Sequence, residues 1–140
     1  MHALVVDDDR EIRTALVAAI RIEYGEMVDT AESGEEAMGF AVSNSYDLVT
    51  LDINMPGVSG LDILGTLRTL LPWSVIAIIS GTTEEITSAT LGGAAALVLS
   101  KPFSAAKIRS IAKMAKELLA KREEIQALTE WNTPTEEPDE

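Results

Sequence analysis

The chain has 140 residues, 46% of them hydrophobic, which is enough for one domain with a substantial core and too little for two. It has no cysteine, which excludes disulfides and thiolate metal sites and gives no sign of an oxidising compartment. A formal charge of −12 argues against a chain that itself grips nucleic acid, because phosphate contacts need clustered Lys and Arg; proteins and cations are the partners it suits.

Met1 and His2 lead straight into Ala3-Leu4-Val5-Val6, an apolar run too short for a secretory signal core, and then into acids. No apolar run approaches the ~18 residues that a membrane span needs. The expectation is a soluble cytoplasmic protein without membrane contact. His2, ahead of the first strand, reads as a terminal side chain with no partner.

Leu4-Val5-Val6 predicts a first strand that ends in Asp7-Asp8-Asp9, and Ile12, Leu16, Ala19, Ile20 and Ile22 predict a helix after it. Asp9 can cap that helix, where unpaired N–H groups and the macrodipole favour an anion. Capping accounts for one aspartate and not for three. Adjacent like charges cost free energy unless a cation or solvent compensates, so a cation site is favoured over a solvated acidic turn.

Gly25 ends the first helix, and Met27 to Ala31 gives a second strand. Ser33-Gly34-Glu35-Glu36 is a capping-box sequence for a helix through Ala37, Phe40 and Ala41, closed by Asn44-Ser45. The apolar run Leu48 to Leu51 predicts a buried strand that delivers Asp52 to a turn containing Asn54, Pro56, Gly57 and Gly60. Leu61, Ile63, Leu64, Leu67, Leu70 and Leu71 mark a third helix, stopped by Pro72.

Val75 to Ile79 is the most apolar strand, as expected for a parallel strand covered on both faces, and it runs into Ser80-Gly81-Thr82-Thr83. A weak fourth helix is expected over Glu84–Leu91, ended by Gly92-Gly93. Ala95 to Leu99 forms the last strand, followed by Ser100-Lys101-Pro102-Phe103. Ile108, Ile111, Ala115 and Leu118 then begin a last helix that can continue through Ile125 and Leu128.

Five strand–helix units in a short chain imply an α/β fold with a doubly wound parallel sheet, because right-handed crossovers put helices on both faces. In such a sheet the ends carrying Asp7-Asp8, Asp52, Ser80 and Lys101 share one edge. Three carboxylates, a hydroxyl and an ammonium make a poor site for a metal alone, since the lysine opposes the cation. They suit a phosphoryl group plus Mg²⁺: oxygen ligands for the cation, Lys101 and Ser80 for the phosphoryl oxygens, and Asp52 as the nucleophile that becomes an acyl phosphate.

On these residues the chain resembles the receiver domain of two-component response regulators, over about Ala3 to Leu119. The motifs are the Asp7-Asp8 pair, Asp52-Ile53-Asn54-Met55-Pro56-Gly57-Val58-Ser59-Gly60, Ser80-Gly81 and Lys101-Pro102-Phe103, in the family's order and spacing. The resemblance implies a five-stranded flavodoxin-like sheet of order 2-1-3-4-5. It also implies that Asp52 is phosphorylated from the phosphohistidine of a histidine kinase or phosphotransfer protein. Asp8 would then ligate Mg²⁺ directly, Asp7 through water, and Asn54 through its backbone carbonyl. Ser80 matches the switch hydroxyl, Lys101 the phosphate-binding lysine, Thr82 a tuner of phosphate lifetime, and Lys101-Pro102 a bond typically cis in the family.

Two positions depart from the pattern. The family usually carries an aromatic three residues before the lysine, where this chain has Val98, and the run Gly92 to Ala96 differs from the usual approach to the last strand. The expected domain plan is a receiver over 1–120, an extension of the last helix over 121–130, and an acidic, disordered tail over 131–140. The extension is either a frayed charged end or a short signalling helix leading into a homodimer partner or an output domain. Trp131 is either packed on that helix or an anchor for a partner.

The expected output is protein contact through the face formed by the Glu84–Leu91 helix, the last strand and the last helix. On this reading the chain is not an enzyme beyond transferring phosphate onto itself and losing it again. The competing classes are a Mg²⁺-dependent phosphatase or phosphotransferase with an aspartyl nucleophile, and a degenerate receiver used as a binding module.

Overall fold

The computed structural model describes residues 1–81 and 97–132, with side chains described through Thr129. Its elements are β1 (Ala3–Val6), α1 (Arg10–Tyr24), β2 (Val28–Ala31), α2 (Gly34–Ser43), β3 (Leu48–Asp52), α3 (Gly60–Leu70), β4 (Val75–Ser80), β5 (Leu97–Ser100) and α4 (Ala105–Asn132). All strand pairs are parallel, in the order β2-β1-β3-β4-β5. The doubly wound fold is therefore as the strand–helix alternation implied, and the 2-1-3-4-5 order as the resemblance implied. The expected Glu84–Leu91 helix, Gly92-Gly93, Thr82 and the 133–140 tail lie outside the described residues, as does the side chain of Trp131.

Alternation along each strand divides the core between two layers. Leu4, Val6, Val49, Leu51, Ile76 and Ile78 meet Ala37 and Ala41 of α2 and Ile63, Leu64 and Leu67 of α3. Ala3, Val5, Leu48, Val75, Ala77 and Ile79 meet Leu16, Ala19 and Ile20 of α1 and Ile108, Ala112 and Ala115 of α4. Full burial of each large side chain contributes about 1.5–3 kcal/mol, and shifting a central strand by one residue would exchange its two sets of side chains between the layers and mismatch the packing of both.

The helix ends follow local chemistry. Asp9 caps α1, accepting from the N–H groups of Glu11 and Ile12, and Gly25 closes it with φ of 65°. At α2 the Ser33 hydroxyl accepts from Glu36 N–H, but the reciprocal capping box is at α3, between Ser59 and Asp62. Ile22 corrects the periodic reading of α1: it is 63% exposed, beyond the edge of the buried stripe.

His2 is also corrected. Its Nε2 lies 2.9 Å from Asp29 Oδ2, its ring sits 4.4 Å from the Tyr46 ring, and its N–H donates to Asp47 Oδ2 at 2.7 Å. Tyr46 donates to the same Asp29 oxygen at 2.6 Å; burial and that bond push its phenol up. These contacts fasten the start of β1 to β2 and to the entry of β3. The opposite, carboxyl edge is left to the loops.

At the amino edge, beside the start of β4, Arg68 Nη1 donates to Ser74 O at 2.6 Å, and Arg122 Nη1 donates to Trp73 O at 2.8 Å. α4 is thus tied to the α3–β4 loop well past the point where its buried stripe ends. Lys116 of α4 also reaches Glu23 at the end of α1, 3.5 Å from its Oε2.

One buried group is badly served. Thr50 sits mid-β3 between Val5 and Ala77, 2% exposed, and its hydroxyl makes no hydrogen bond among the described residues. Replacing the hydroxyl by a methyl removes that desolvation cost without changing shape. Thr50→Val is expected to raise unfolding stability by about 1 kcal/mol, read from urea denaturation. A neutral or destabilising result would mean that the hydroxyl has a partner in solution.

Candidate functional site

The sheet brings four chain segments to its carboxyl edge. Asp7 follows β1, with its N–H bonded to Ala31 O at 3.1 Å. Asp52 is the last residue of β3, in register with Ile79 of β4. Ser80 ends β4 and is buried, and its carbonyl accepts from Lys101 N–H at 2.8 Å. That bond continues the β4–β5 pairing by one residue and fixes where Lys101 leaves the sheet. The Lys101-Pro102 bond is cis.

At the centre, Asp52 is 2% exposed. Its Oδ1 accepts from Asn54 N–H at 2.9 Å, and its Oδ2 lies 3.2 Å from Lys101 Nζ. Lys101 Nζ is also 3.6 Å from Asp7 Oδ2. Asp7, Asp8 and Asp52 each offer a carboxylate oxygen, all within 4.8 Å of one another, with Asp8 exposed at the mouth. The expected residues Asp7, Asp8, Asp52 and Lys101 are therefore side by side, with Asn54 next to them in the β3–α3 loop and Ser80 on the adjoining strand end. Thr82 is outside the described residues. Val98 is half-buried within β5, paired with Ile78.

Asp7 is the most perturbed member. Burial pushes its carboxyl up to about 6, Asp52 and Asp8 push the same way, and the Asp9 N–H and Lys101 oppose them. Asp7 Oδ1 accepts from Asp9 N–H at 2.9 Å, whereas Asp7 Oδ2 is buried without a hydrogen bond among the described residues. A buried carboxylate oxygen left in this state, facing two other carboxylates with one ammonium among them, fits a hard divalent cation that takes oxygen ligands. The donor set is all oxygen, as such a cation requires.

Two residues matter here that sequence reasoning did not single out. Gly60 read as a turn residue, yet its φ is not in the left-handed region and its role is steric. A Cβ there would lie 2.4 Å from Asp52 O and 2.6 Å from Ile53 Cα. The first turn of α3 thus rests directly on the backbone of Asp52. Arg13, one turn into α1, donates through Nη1 to Asp7 O at 2.8 Å. Its spacing of four from the cap Asp9 was the only available signal, and it has no meaning until the loop's path is known.

Two expectations follow from this geometry. Gly60→Ala forces the α3 terminus and the Asp52 backbone apart, at a cost of about 1–3 kcal/mol in stability, measured by denaturant unfolding; an unchanged midpoint would refute the close approach. The folded state keeps the Asp7 proton to about pH 6, and the unfolded chain releases it near 3.8, so without divalent cation Asp7 lowers stability progressively as pH rises through that window. The stability gain of Asp7→Asn over wild type in chelator should therefore grow from pH 4 to pH 7, and parallel pH profiles would count against it.

Comparison with known proteins yields the same picture. The sequence profile described as the response regulator receiver domain matches residues 3–113. The chain is 36% identical over 104 residues to the cell cycle transcriptional regulator CtrA of Caulobacter vibrioides, covering 74% of this chain and 45% of that protein. It is 34% identical over 142 residues to the response regulator MprA of a Mycobacterium species, covering 99% of this chain and 55% of that protein. The chain thus spans about half the length of these relatives. Among solved structures, the chemotaxis protein CheY4 of Vibrio cholerae superposes with a TM-score of 0.71 at 26% identity, over 81% of this chain and 97% of that one.

Proposed function

The chain belongs to the response regulator receiver domain family, and from that premise we propose that Asp52 accepts a phosphoryl group from the phosphohistidine of a sensor histidine kinase or phosphotransfer protein, in a reaction that requires Mg²⁺. The observation that carries the proposal is the Asp52 carboxylate itself. One oxygen is held by Asn54 N–H and the other by Lys101, and Asp7 and Asp8 stand beside them.

The roles follow from the groups. An Asp52 oxygen attacks phosphorus, the P–N bond to the donor imidazole breaks with its electron pair passing to the ring nitrogen, and an acyl phosphate results. The Asn54 N–H orients the carboxylate for that attack. Lys101, already 3.2 Å from the attacking group, exchanges its carboxylate contact for the incoming phosphoryl oxygens. The Ser80 hydroxyl donates to the same oxygens from the end of β4. Asp7, Asp8, Asp52 and the Asn54 carbonyl would hold Mg²⁺ as oxygen donors, and the ion would supply charge neutralisation on the phosphoryl group.

The product's charge must then be read elsewhere. Output goes to a protein partner or an output domain, through the face that includes β5 and α4 above Ser80 and Lys101. The aromatic step of the family's usual relay is absent at Val98, so Ser80 is the first reader of the phosphoryl group and Val98 transmits only by packing. Thr82 sets the phosphate lifetime. α4 beyond Lys121 offers a route to a homodimer, and the acidic chain makes no direct nucleic-acid contact of its own. The setting is cytoplasmic; no helix among the described residues is long and apolar enough to cross a membrane.

The chain acts as a signalling domain and not as a phosphatase on external substrates. A phosphatase of that kind would want a second acid close after its nucleophile, and Asp52 is followed by Ile53 and Asn54. The complete acidic pocket likewise disfavours a degenerate binding module. The decisive experiment is incubation with Mg²⁺ and acetyl phosphate, followed by intact mass. Wild type should gain one labile phosphoryl, and Asp52→Asn none. Equal labelling of the two, or none in wild type, would overturn the assignment.

A further inference from the structure

Before Asp7 and Asp8 can serve a cation together, the peptide between them has to be oriented. The N–H of Asp7 is held by Ala31 O at 3.1 Å, and its Oδ1 by Asp9 N–H at 2.9 Å. The remaining polar atom on its main chain is the carbonyl oxygen, which belongs to the same peptide plane as the N–H of Asp8. That oxygen is taken by Arg13 Nη1 at 2.8 Å. The other arm of the guanidinium, Nη2, donates to Glu32 Oε1 at 3.2 Å, and the Arg13 side chain is only 12% exposed.

Each part of this clamp is itself anchored. The N–H of Arg13 bonds to Asp9 O at 2.9 Å, so the cap that starts α1 also fixes the root of the arginine. Glu32 comes from the loop after β2, so one guanidinium links two neighbouring loops at the sheet's edge. A planar fork with fixed donor directions can hold a carbonyl and a carboxylate at once. A lysine ammonium carries the same charge without that geometry.

We infer that Arg13 is a positioning residue for the cation site: its guanidinium fixes the Asp7–Asp8 peptide, and Glu32 fixes the guanidinium. The inference rests on the reading of Asp7 and Asp8 as cation ligands. It makes a prediction opposite in sign to that of charge alone. A guanidinium near a divalent cation repels it, so removing Arg13 as a charge would tighten Mg²⁺ binding. Removing it as a clamp frees the peptide and leaves the Asp7 carbonyl without its donor. Loss of such outer partners typically weakens metal binding 10- to 100-fold.

The test is Mg²⁺ titration by calorimetry of wild type, Arg13→Gln, Arg13→Lys, Glu32→Gln and Arg10→Gln. Melting in chelator and the amide resonances of Asp8 and Asp9 in chelator supply readouts independent of the metal. Arg13→Gln is expected to weaken Mg²⁺ binding roughly tenfold or more. Arg13→Lys should weaken it as well, despite the retained charge, and Glu32→Gln should weaken it to a smaller extent. Arg10→Gln, which removes a nearby exposed cation that does not bond to Asp7, should leave affinity unchanged or raise it. The Asp8 and Asp9 amides should move in Arg13→Gln before any metal is added.

Binding by Arg13→Gln equal to or tighter than wild type would overturn the inference while leaving the ligand assignment intact. So would wild-type affinity in Arg13→Lys, which would reduce the residue's role to charge. A wild type that takes up no Mg²⁺ would remove the ligand assignment first and this inference with it. If Arg13→Gln does not fold, Arg13→Lys and Glu32→Gln carry the comparison.

Discussion

Everything at the carboxyl edge depends on keeping two carboxylates, Asp7 and Asp52, out of water and next to each other. Each would be strongly penalised alone, and together they repel. Lys101 reconciles them by reaching both, at 3.6 and 3.2 Å. It cannot compensate them completely, because Asp8 adds a third negative charge at the mouth and Asp7 Oδ2 keeps no hydrogen bond among the described residues. The site is thus built with a deficit of positive charge. A divalent cation would relieve that deficit, and a phosphoryl group on Asp52 would restore it.

The sheet makes the arrangement possible because its register is fixed by burial and not by the site. β1, β3 and β4 are buried along their whole length, so a slip of one residue would turn their apolar side chains into the wrong layer. The strands can therefore present acids at their ends without those acids choosing the register. Gly60 adds a local constraint of another kind: the α3 terminus stands so close to Asp52 that only a hydrogen fits between them. The position of the Asp52 carboxylate is set from beneath by the sheet and from the side by a helix.

Much of this was legible in the sequence. The alternation of β-branched runs with helical periodicity specified a doubly wound sheet, and acids or a lysine directly after apolar runs identified the edge where they would meet. What escaped were particular contacts that no residue pattern marks. His2 looked like a loose terminus because nothing in the chain order says that Asp29 and Tyr46 will surround it. Arg13 was not singled out, since its carbonyl partner is a main-chain atom that no residue pattern can mark. Gly60 passed for a turn glycine, because a steric requirement and a conformational one leave the same letter. Thr50 was absorbed into an apolar run, and only its neighbours Val5 and Ala77 reveal that its hydroxyl has been left alone.

The hold of Arg122 on Trp73 has a mechanical side. Past that contact α4 continues for ten residues to Asn132, about 15 Å of helix at 1.5 Å per residue. The contact would serve as a fulcrum, with the α1-facing contacts of the helix on one arm and the ten residues beyond Arg122 on the other. A tilt of ~10° about it carries the far end of the rod by about 3 Å. A change too small to alter the core could therefore be felt as a displacement of side-chain size at Asn132.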